Sequence, residues 1–382
     1  MLITLSTVLL NTHYLGKEGL GSVALLQFGL LLVTGLAGFV AAGAVVYVRR
    51  SSSPKDIRWI AYLWCVFSAI IASFLGVKLG AIPKEWLFES FYLGLLQSIV
   101  IFHSQLLIAS GKIKEHNILF LVQAVVILIN VAVAYLVLDK ANPEGFAYAL
   151  TVSFLVTTIA TFALLKGTWD DKPTVKAEEG AISKLFKNGA QGQTGSVLQL
   201  LTNRSNLSLL ESFIGSAGAG VYSVVYYGAE AVWTVARAFA PMVNNEVAKA
   251  KSTMDGMLIT IGYLKRTLIL TIPLVLIACM IPESIYFFIF GIDGIAIPIR
   301  LLAPGMIAGA ISSIIAHHLS GVGLHKWNAI TSGLALIVLL CVGNYLIPTM
   351  EVCGAAIAAS CAYSAQALGL ILIWTILSRE EN

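Results

Sequence analysis

Charge is scarce in this chain. Of its 382 residues only 12% are Asp, Glu, Lys or Arg, while 58% are hydrophobic. A soluble domain carries roughly 25% charged residues, so so much apolar surface cannot be hidden from water in one folded core. Cysteine is sparse too. Cys65, Cys279, Cys341, Cys353 and Cys361 are scattered, odd in number and never paired as CxxC, which leaves no disulfide or thiolate-metal framework. The first residues, MLITLSTVLLNTHYLG, have no basic leader region and no small-residue cleavage site, so they do not read as a signal peptide. No P-loop, HExxH, GxSxG or glycosidase-type carboxylate pair occurs. No metal site is expected, and no cofactor beyond a coupling proton or sodium ion. The basic residues lie beside apolar runs, as membrane topology demands, and do not imply nucleic acid.

Long apolar runs are what the chain has instead. Twelve candidate spans lie near 1–15, 20–48, 57–78, 85–109, 117–138, 144–166, 186–211, 217–245, 257–281, 285–320, 327–347 and 353–377. A span needs about 20 residues, so the first is short. That leaves open whether the chain or this helix begins earlier. The runs 20–48 and 285–320 are overlong and must tilt, kink or include an interfacial piece. Pro298 and Pro304 are candidate break points in the second, and a split of it into a re-entrant piece and a span would upset the even count.

Charge placement supports that count. With the first residue inside and the spans alternating, seventeen of the 24 Lys and Arg fall in inner loops, four in outer loops and three within spans. This is the positive-inside pattern, with both termini cytoplasmic. No outer loop is long. The longest polar segment, Lys166 to Lys187, is an inner one and divides the spans six and six. The expected fold is an all-α polytopic membrane protein of about 12 transmembrane helices in two pseudo-symmetric six-helix bundles. The bundles are 1–166 and 186–382, joined by a cytoplasmic linker at 167–185.

The halves echo each other. GKEGLG at Gly16–Gly21 joins spans one and two, and GSAGAG at Gly215–Gly220 joins spans seven and eight. EGFAYALTVSF opens span six and CGAAIAASCAY opens span twelve, pairing Gly145 with Gly354. SGKIKEHN and GVGLHKWN join the fourth and fifth spans of each half. Equal orientation makes this a parallel repeat, an arrangement transporters use to rock two bundles about a shared site.

Intramembrane charge marks candidate function, because it is costly in lipid. In span seven, Ser196, Gln199, Asn203 and Asn206 recur at helical spacing beside Arg204. In span eight, Tyr222, Tyr226, Glu230 and Arg237 share a face, with Trp233 between the last two. A structural ion pair and a hydrated cavity for an anionic headgroup are both open readings. Arg suits phosphate because its fork binds two oxygens at once, and Tyr and Trp faces suit sugar rings. Arg300 lies between the two prolines of span ten, near Asp293, where a cavity role and local pairing weigh equally. The candidate binding set is Arg204, Arg237, Arg300, Glu230, Asn203, Tyr226 and Trp233. Glu230 and His103 are candidates for ion coupling, His103 because an imidazole titrates near neutrality. An ordinary interhelical hydrogen bond is the plainer role for His103. Adjacent His317 and His318 point to different helix faces, which disfavours a metal site.

LLNTHYLGKEGLGSVALLQF resembles the first outer turn of the polysaccharide-repeat-unit flippases of the MOP exporter superfamily (multidrug, oligosaccharidyl-lipid, polysaccharide). SFIGSAGAGVYSVVYYGAEAV resembles their turn between spans seven and eight. IRLLAPGMIAGAISSIIAHHLSGVGLHKWN resembles their span ten with its following loop, and CGAAIAASCAY the start of their last span. The resemblance runs over essentially the whole chain. It implies an O-antigen-type flippase of a bacterial inner membrane, moving an undecaprenyl-pyrophosphate-linked oligosaccharide across the bilayer by alternating access. It also implies two six-helix bundles around a cationic cavity, which Arg204, Arg237 and Arg300 suit in kind. Implied partners are the lipid-linked oligosaccharide, membrane lipids and other polysaccharide-assembly membrane proteins. The alternatives are a cation-coupled drug or metabolite exporter of the related multidrug branch and a polysaccharide polymerase or ligase. The missing large outer loop counts against the latter.

Overall fold

A computed structural model describes residues 2–169, 171 and 180–380. Of the linker expected at 167–185, residues 170 and 172–179 lie outside the described residues. The chain is an all-α membrane protein that separates into two compact units, Met1–Val197 and Leu198–Asn382. The first holds α1 (Leu2–Ala41), α2 (Gly43–Val48), α3 (Pro54–Lys78), a 3-10 turn (Lys84–Trp86), α4 (Leu87–Ala109), α5 (Ile113–Leu136) and α6 (Pro143–Leu164). Helix α7 (Ala181–Ile214) starts in the first unit and ends in the second. The second unit also holds α8 (Ser216–Val247), α9 (Thr253–Met280), α10 (Glu283–Phe290), α11 (Ala296–Gly321) and α12 (His325–Glu380). Among the described residues, eight helical stretches are long and apolar enough to cross a membrane. Two of these are double length: Ile3–Val48 with 46 residues and His325–Ile376 with 52.

Both long stretches are bent, and glycine explains the first bend. Gly16 has φ 64 and ψ −174 inside α1. Gly215, between α7 and α8, has φ 82 and ψ 179. This is one backbone conformation used twice, in a region open essentially to glycine alone. The matched pair Gly145 and Gly354 is also explained. A Cβ on Gly145 would sit 2.1 Å from the Lys140 carbonyl oxygen, and one on Gly354 would sit 2.6 Å from that of Leu346. Each half thus opens its last helix with the chain folded tightly against the preceding turn. At the third match, the N–H after Gly111 reaches the Leu107 carbonyl, and the N–H after Gly323 reaches that of Leu319. Both are the six-to-one bond of a glycine-ended helix.

The overlong runs break where their local chemistry dictates. The run 20–48 does not stay one helix: α1 ends at Ala41, and α2 restarts after Ala42, whose φ −105 and ψ −133 are non-helical. The run 285–320 breaks at Gly291–Ile295, not at its prolines. Gly291 ends α10 in the left-handed region, and Gly294 also has positive φ. The Glu283 carboxylate then accepts from the backbone N–H groups of Gly294, Ile295 and Ala296 at 2.7, 3.1 and 2.8 Å, capping α11. Pro298 falls in the first turn of α11, where a missing N–H costs nothing. Pro304 lies inside the helix. One residue on, the Ser360 hydroxyl accepts from Gly305 N–H at 3.1 Å and donates to the Leu301 carbonyl at 2.7 Å. In an unbroken helix those two backbone groups would bond to each other.

Candidate functional site

Helices α7 and α8 present their polar residues to one another within the second unit. Spacings of four, three and four place Tyr226, Glu230, Trp233 and Arg237 along one side of α8. The Glu230 carboxylate is shared. Its Oε2 lies 3.6 Å from Nη2 of Arg204, and its Oε1 lies 3.3 Å from Nη2 of Arg237. The Arg204 guanidinium also sits over the Tyr226 ring, 4.1 Å from the centroid. That is inside the range in which a ring quadrupole attracts a cation. The two arginines differ in setting. The Arg204 side chain is 12% exposed, that of Arg237 53%. Arg204 is therefore built into the unit by ring and carboxylate, while Arg237 keeps donors of its five-donor fork turned outward.

Arg237 lines a cavity of about 200 Å³ together with Gln199, Asn203, Trp233, Ser312, Tyr363 and Gln366. The wall is held by a chain of amides and hydroxyls. Gln199 donates to Asn203 Oδ1 at 3.0 Å, and its own oxygen accepts from Ser332 Oγ at 3.2 Å and from Gln366 Nε2. Gln366 also donates to Ser332 Oγ at 3.1 Å. Trp233 forms another wall. Its Nε1 donates to the Met306 carbonyl at 2.8 Å, its ring meets Tyr363 edge-on at 5.1 Å, and Gly309 leaves room for it. The last residue of the α7 stripe is structural: Asn206 is buried and donates to Tyr222 Oη and to the Ala355 carbonyl, both at 2.9 Å.

Of the residues singled out in sequence, the fold brings together Arg204, Glu230, Arg237, Tyr226, Trp233 and Asn203. It does not bring Arg300 to them by any polar contact; Arg300 Nε donates to the Cys279 carbonyl on α9 at 3.0 Å. His103 lies in the first unit, fully buried, with Nε2 2.7 Å from Tyr62 Oη and Nδ1 2.8 Å from Thr161 Oγ1. Both its ring nitrogens are engaged between helices. His317 and His318 have different partners: Ser313 of the same helix for the first, Thr260 of α9 for the second. Sequence reasoning missed Ser312, Ser332, Tyr363 and Gln366. Their only signal was polarity within apolar runs, since no fixed spacing links α7, α11 and α12.

No protein-family model matches the chain, and no curated protein matches it. Solved structures do. An inward-facing structure of a multidrug resistance MATE family transporter of the MOP superfamily superposes with a TM-score of 0.74 at 12% identity, covering 99% of this chain and 94% of that one. An outward-facing structure of a MATE transporter of the same superfamily gives 0.68 at 13%, covering 99% and 92%. The bent form of the Vibrio cholerae MATE transporter VcmN gives 0.63 at 14%, covering 100% and 94%. At such identities the likeness is one of fold. The chain has the fold of MOP-superfamily transporters.

Proposed function

We propose that this protein is a flippase for lipid-linked oligosaccharides, moving an undecaprenyl-pyrophosphate-linked repeat unit across a bacterial inner membrane by alternating access. The observation that carries this reading is Arg237, a half-exposed guanidinium on a cavity that Gln199, Asn203 and Gln366 also line, beside a second arginine, with one carboxylate between the two. Two cations against one anion leave the cluster net positive, which suits a phosphate-bearing headgroup. Arg237 is the arginine that meets substrate first, Arg204 holds the cluster together, and Arg300 acts separately. Glu230 is the better candidate for ion coupling, because it pairs with the cavity-lining Arg237, whereas His103 lies in the first unit between Tyr62 and Thr161.

The rest of the reading follows from topology. Counting the two kinked stretches twice and adding α7 and α8 to the eight candidates gives twelve spans. Matching glycine geometry in each unit supports two six-span halves, 1–166 and 186–382, and the excess of Lys and Arg in the inner loops favours both termini on the cytoplasmic side. Other membrane proteins of polysaccharide assembly would take the product.

A second reading is an exporter of drugs or metabolites, favoured by the multidrug transporters among the structural neighbours. A cationic drug would meet a net positive cluster here, so this reading stands second. The discriminating experiment is binding by the purified protein in lipid nanodiscs. The flippase reading predicts that a prenyl pyrophosphate binds, that inorganic pyrophosphate competes, and that Arg237→Ala weakens binding about tenfold with little change in stability. Saturable binding of tetraphenylphosphonium and none of the prenyl pyrophosphate would overturn it in favour of the exporter.

A further inference from the structure

One imidazole of the Arg237 cavity has no part in the function proposed above. His317 lines that space with Arg237, Gln199 and Asn203. The helix puts it there: Gly309, Ser313 and His317 recur every four residues, so one face of α11 forms this wall. His317 is half-buried, and its Nδ1 lies 2.8 Å from the Ser313 carbonyl oxygen. A carbonyl oxygen only accepts, so Nδ1 carries the hydrogen, and in the neutral ring Nε2 is a bare acceptor. That Nε2 has no partner among the described residues and keeps accessible surface. The other ionisable groups on the wall are Arg237 from α8 and Tyr363 from α12, while α7 offers the amides of Gln199 and Asn203. Helix α9 packs on α11 where His318 bonds Thr260. Among the described residues no carboxylate lines the space.

A diphosphate substituted at both ends, as in a prenyl diphosphate that carries a sugar, has two negative charges and offers only acceptor oxygens. Arg204, Glu230 and Arg237 sum to one positive charge. An imidazolium at His317 raises the sum to two and matches such a ligand. The neutral ring does the opposite, because its Nε2 lone pair would face a phosphate oxygen with no hydrogen between them. We propose that His317 is the second phosphate-binding residue of this cavity, and that a disubstituted diphosphate binds there together with one proton, which solvent gives to Nε2; only the prenyl chain of that ligand rests on the flippase reading. The new N–H donates to a phosphate oxygen, a charge-assisted bond. His317 thereby selects an anionic ligand over a neutral one of the same shape. This proton travels with the substrate and is counted apart from any ion coupled through Glu230.

The test is titration calorimetry of the full-length protein in zwitterionic lipid nanodiscs at pH 6, 7 and 8. The probes are farnesyl methyl diphosphate and its chain-free counterpart, dimethyl diphosphate. Neither changes charge over that range, so any proton taken up goes to the protein. Wild-type affinity for the farnesyl probe should fall at least fivefold from pH 6 to pH 8, because the protonated ring that holds phosphate is lost as pH rises. Titrations in buffers of different ionisation enthalpy should show net proton uptake, at most one per ligand. His317→Gln should bind at pH 6 about as weakly as wild type does at pH 8, with no uptake; His317→Asn is read in its place if the glutamine variant does not fold. His13→Gln, which changes an exposed imidazole of the first unit with the same kind of backbone bond, should keep the wild-type profile. A flat wild-type profile overturns the proposal, and so does a pH dependence that survives in His317→Gln, which would assign the proton to Glu230 or another group. Binding of the farnesyl probe without pH dependence leaves the flippase standing and removes the role of His317. Binding of dimethyl diphosphate that depends on pH and on His317, with no preference for the farnesyl probe, keeps the phosphate seat and counts against the flippase. No binding of either probe overturns both.

Discussion

Changing Glu230 to Gln removes the one charge that two guanidiniums share, and the structure says how unequally they will feel it. Arg204 is 12% exposed and depends on Glu230 as its carboxylate partner at 3.6 Å. Leaving one member of a buried pair without its partner costs about 3–5 kcal/mol. Glu230 is itself 27% exposed, and the Tyr226 ring still holds the cation, so the loss shrinks to about 2–3 kcal/mol. Arg237, at 53% exposure, is in the class of surface pairs worth about 0–1 kcal/mol. Arg237→Gln should therefore leave stability nearly unchanged. For a unit of this size 1 kcal/mol shifts the melting midpoint by roughly 2–4 °C. Glu230→Gln should lower the midpoint by roughly 5–10 °C, and Arg237→Gln by less than about 4 °C. The assay is thermal retention of the monodisperse peak of detergent-purified protein on gel filtration. The Arg204→Met/Glu230→Gln double variant should recover most of the loss, because removing both partners of a pair is often close to neutral. Equal losses from Glu230→Gln and Arg237→Gln, or no recovery in the double variant, would refute this division of roles.

Three further outcomes follow from the backbone. Gly16→Ala and Gly215→Ala should each cost about 1–3 kcal/mol, and by similar amounts, since both residues hold the same glycine-only conformation; thermal retention of the two variants compares them. Ser360→Ala should cost about 1–3 kcal/mol by orphaning Gly305 N–H and the Leu301 carbonyl beside Pro304, whereas Ser360→Thr, which keeps the hydroxyl, should retain more of the stability. Gly189→Ala should sharply reduce the yield of folded protein, because a Cβ there would lie 1.6 Å from the Phe39 carbonyl oxygen and push α7 off α1; fluorescence-detected gel filtration of whole-cell extracts reads it.

What the sequence reveals here is whatever is local or periodic. The Tyr226–Glu230–Arg237 alignment is legible because helical spacing alone puts those residues on one face. The paired glycines are legible because the same strained turn is written twice. The breaks at Ala42 and Gly291–Ile295 are harder to see. A run of apolar residues looks continuous until backbone conformation and a capping carboxylate, Glu283, are considered together. Prolines 298 and 304 drew attention as break points, yet one occupies a harmless first turn and the other sits beside a serine from another helix. The cavity wall is the least legible part. Gln199 and Gln366 meet across 167 residues of chain, and only the packing of α7 against α12 gives them a common purpose.

The most direct test of the transport claim is the leaflet distribution of lipid-linked repeat units in cells lacking the gene. Wild type, Arg237→Ala and Arg300→Ala would be supplied back at matched protein levels. Units should accumulate on the cytoplasmic leaflet in the deletion, cross again with wild type, cross poorly with Arg237→Ala, and cross nearly normally with Arg300→Ala, whose side chain donates instead to the Cys279 carbonyl. Units that reach the outer leaflet normally in the deletion strain would contradict the transport claim.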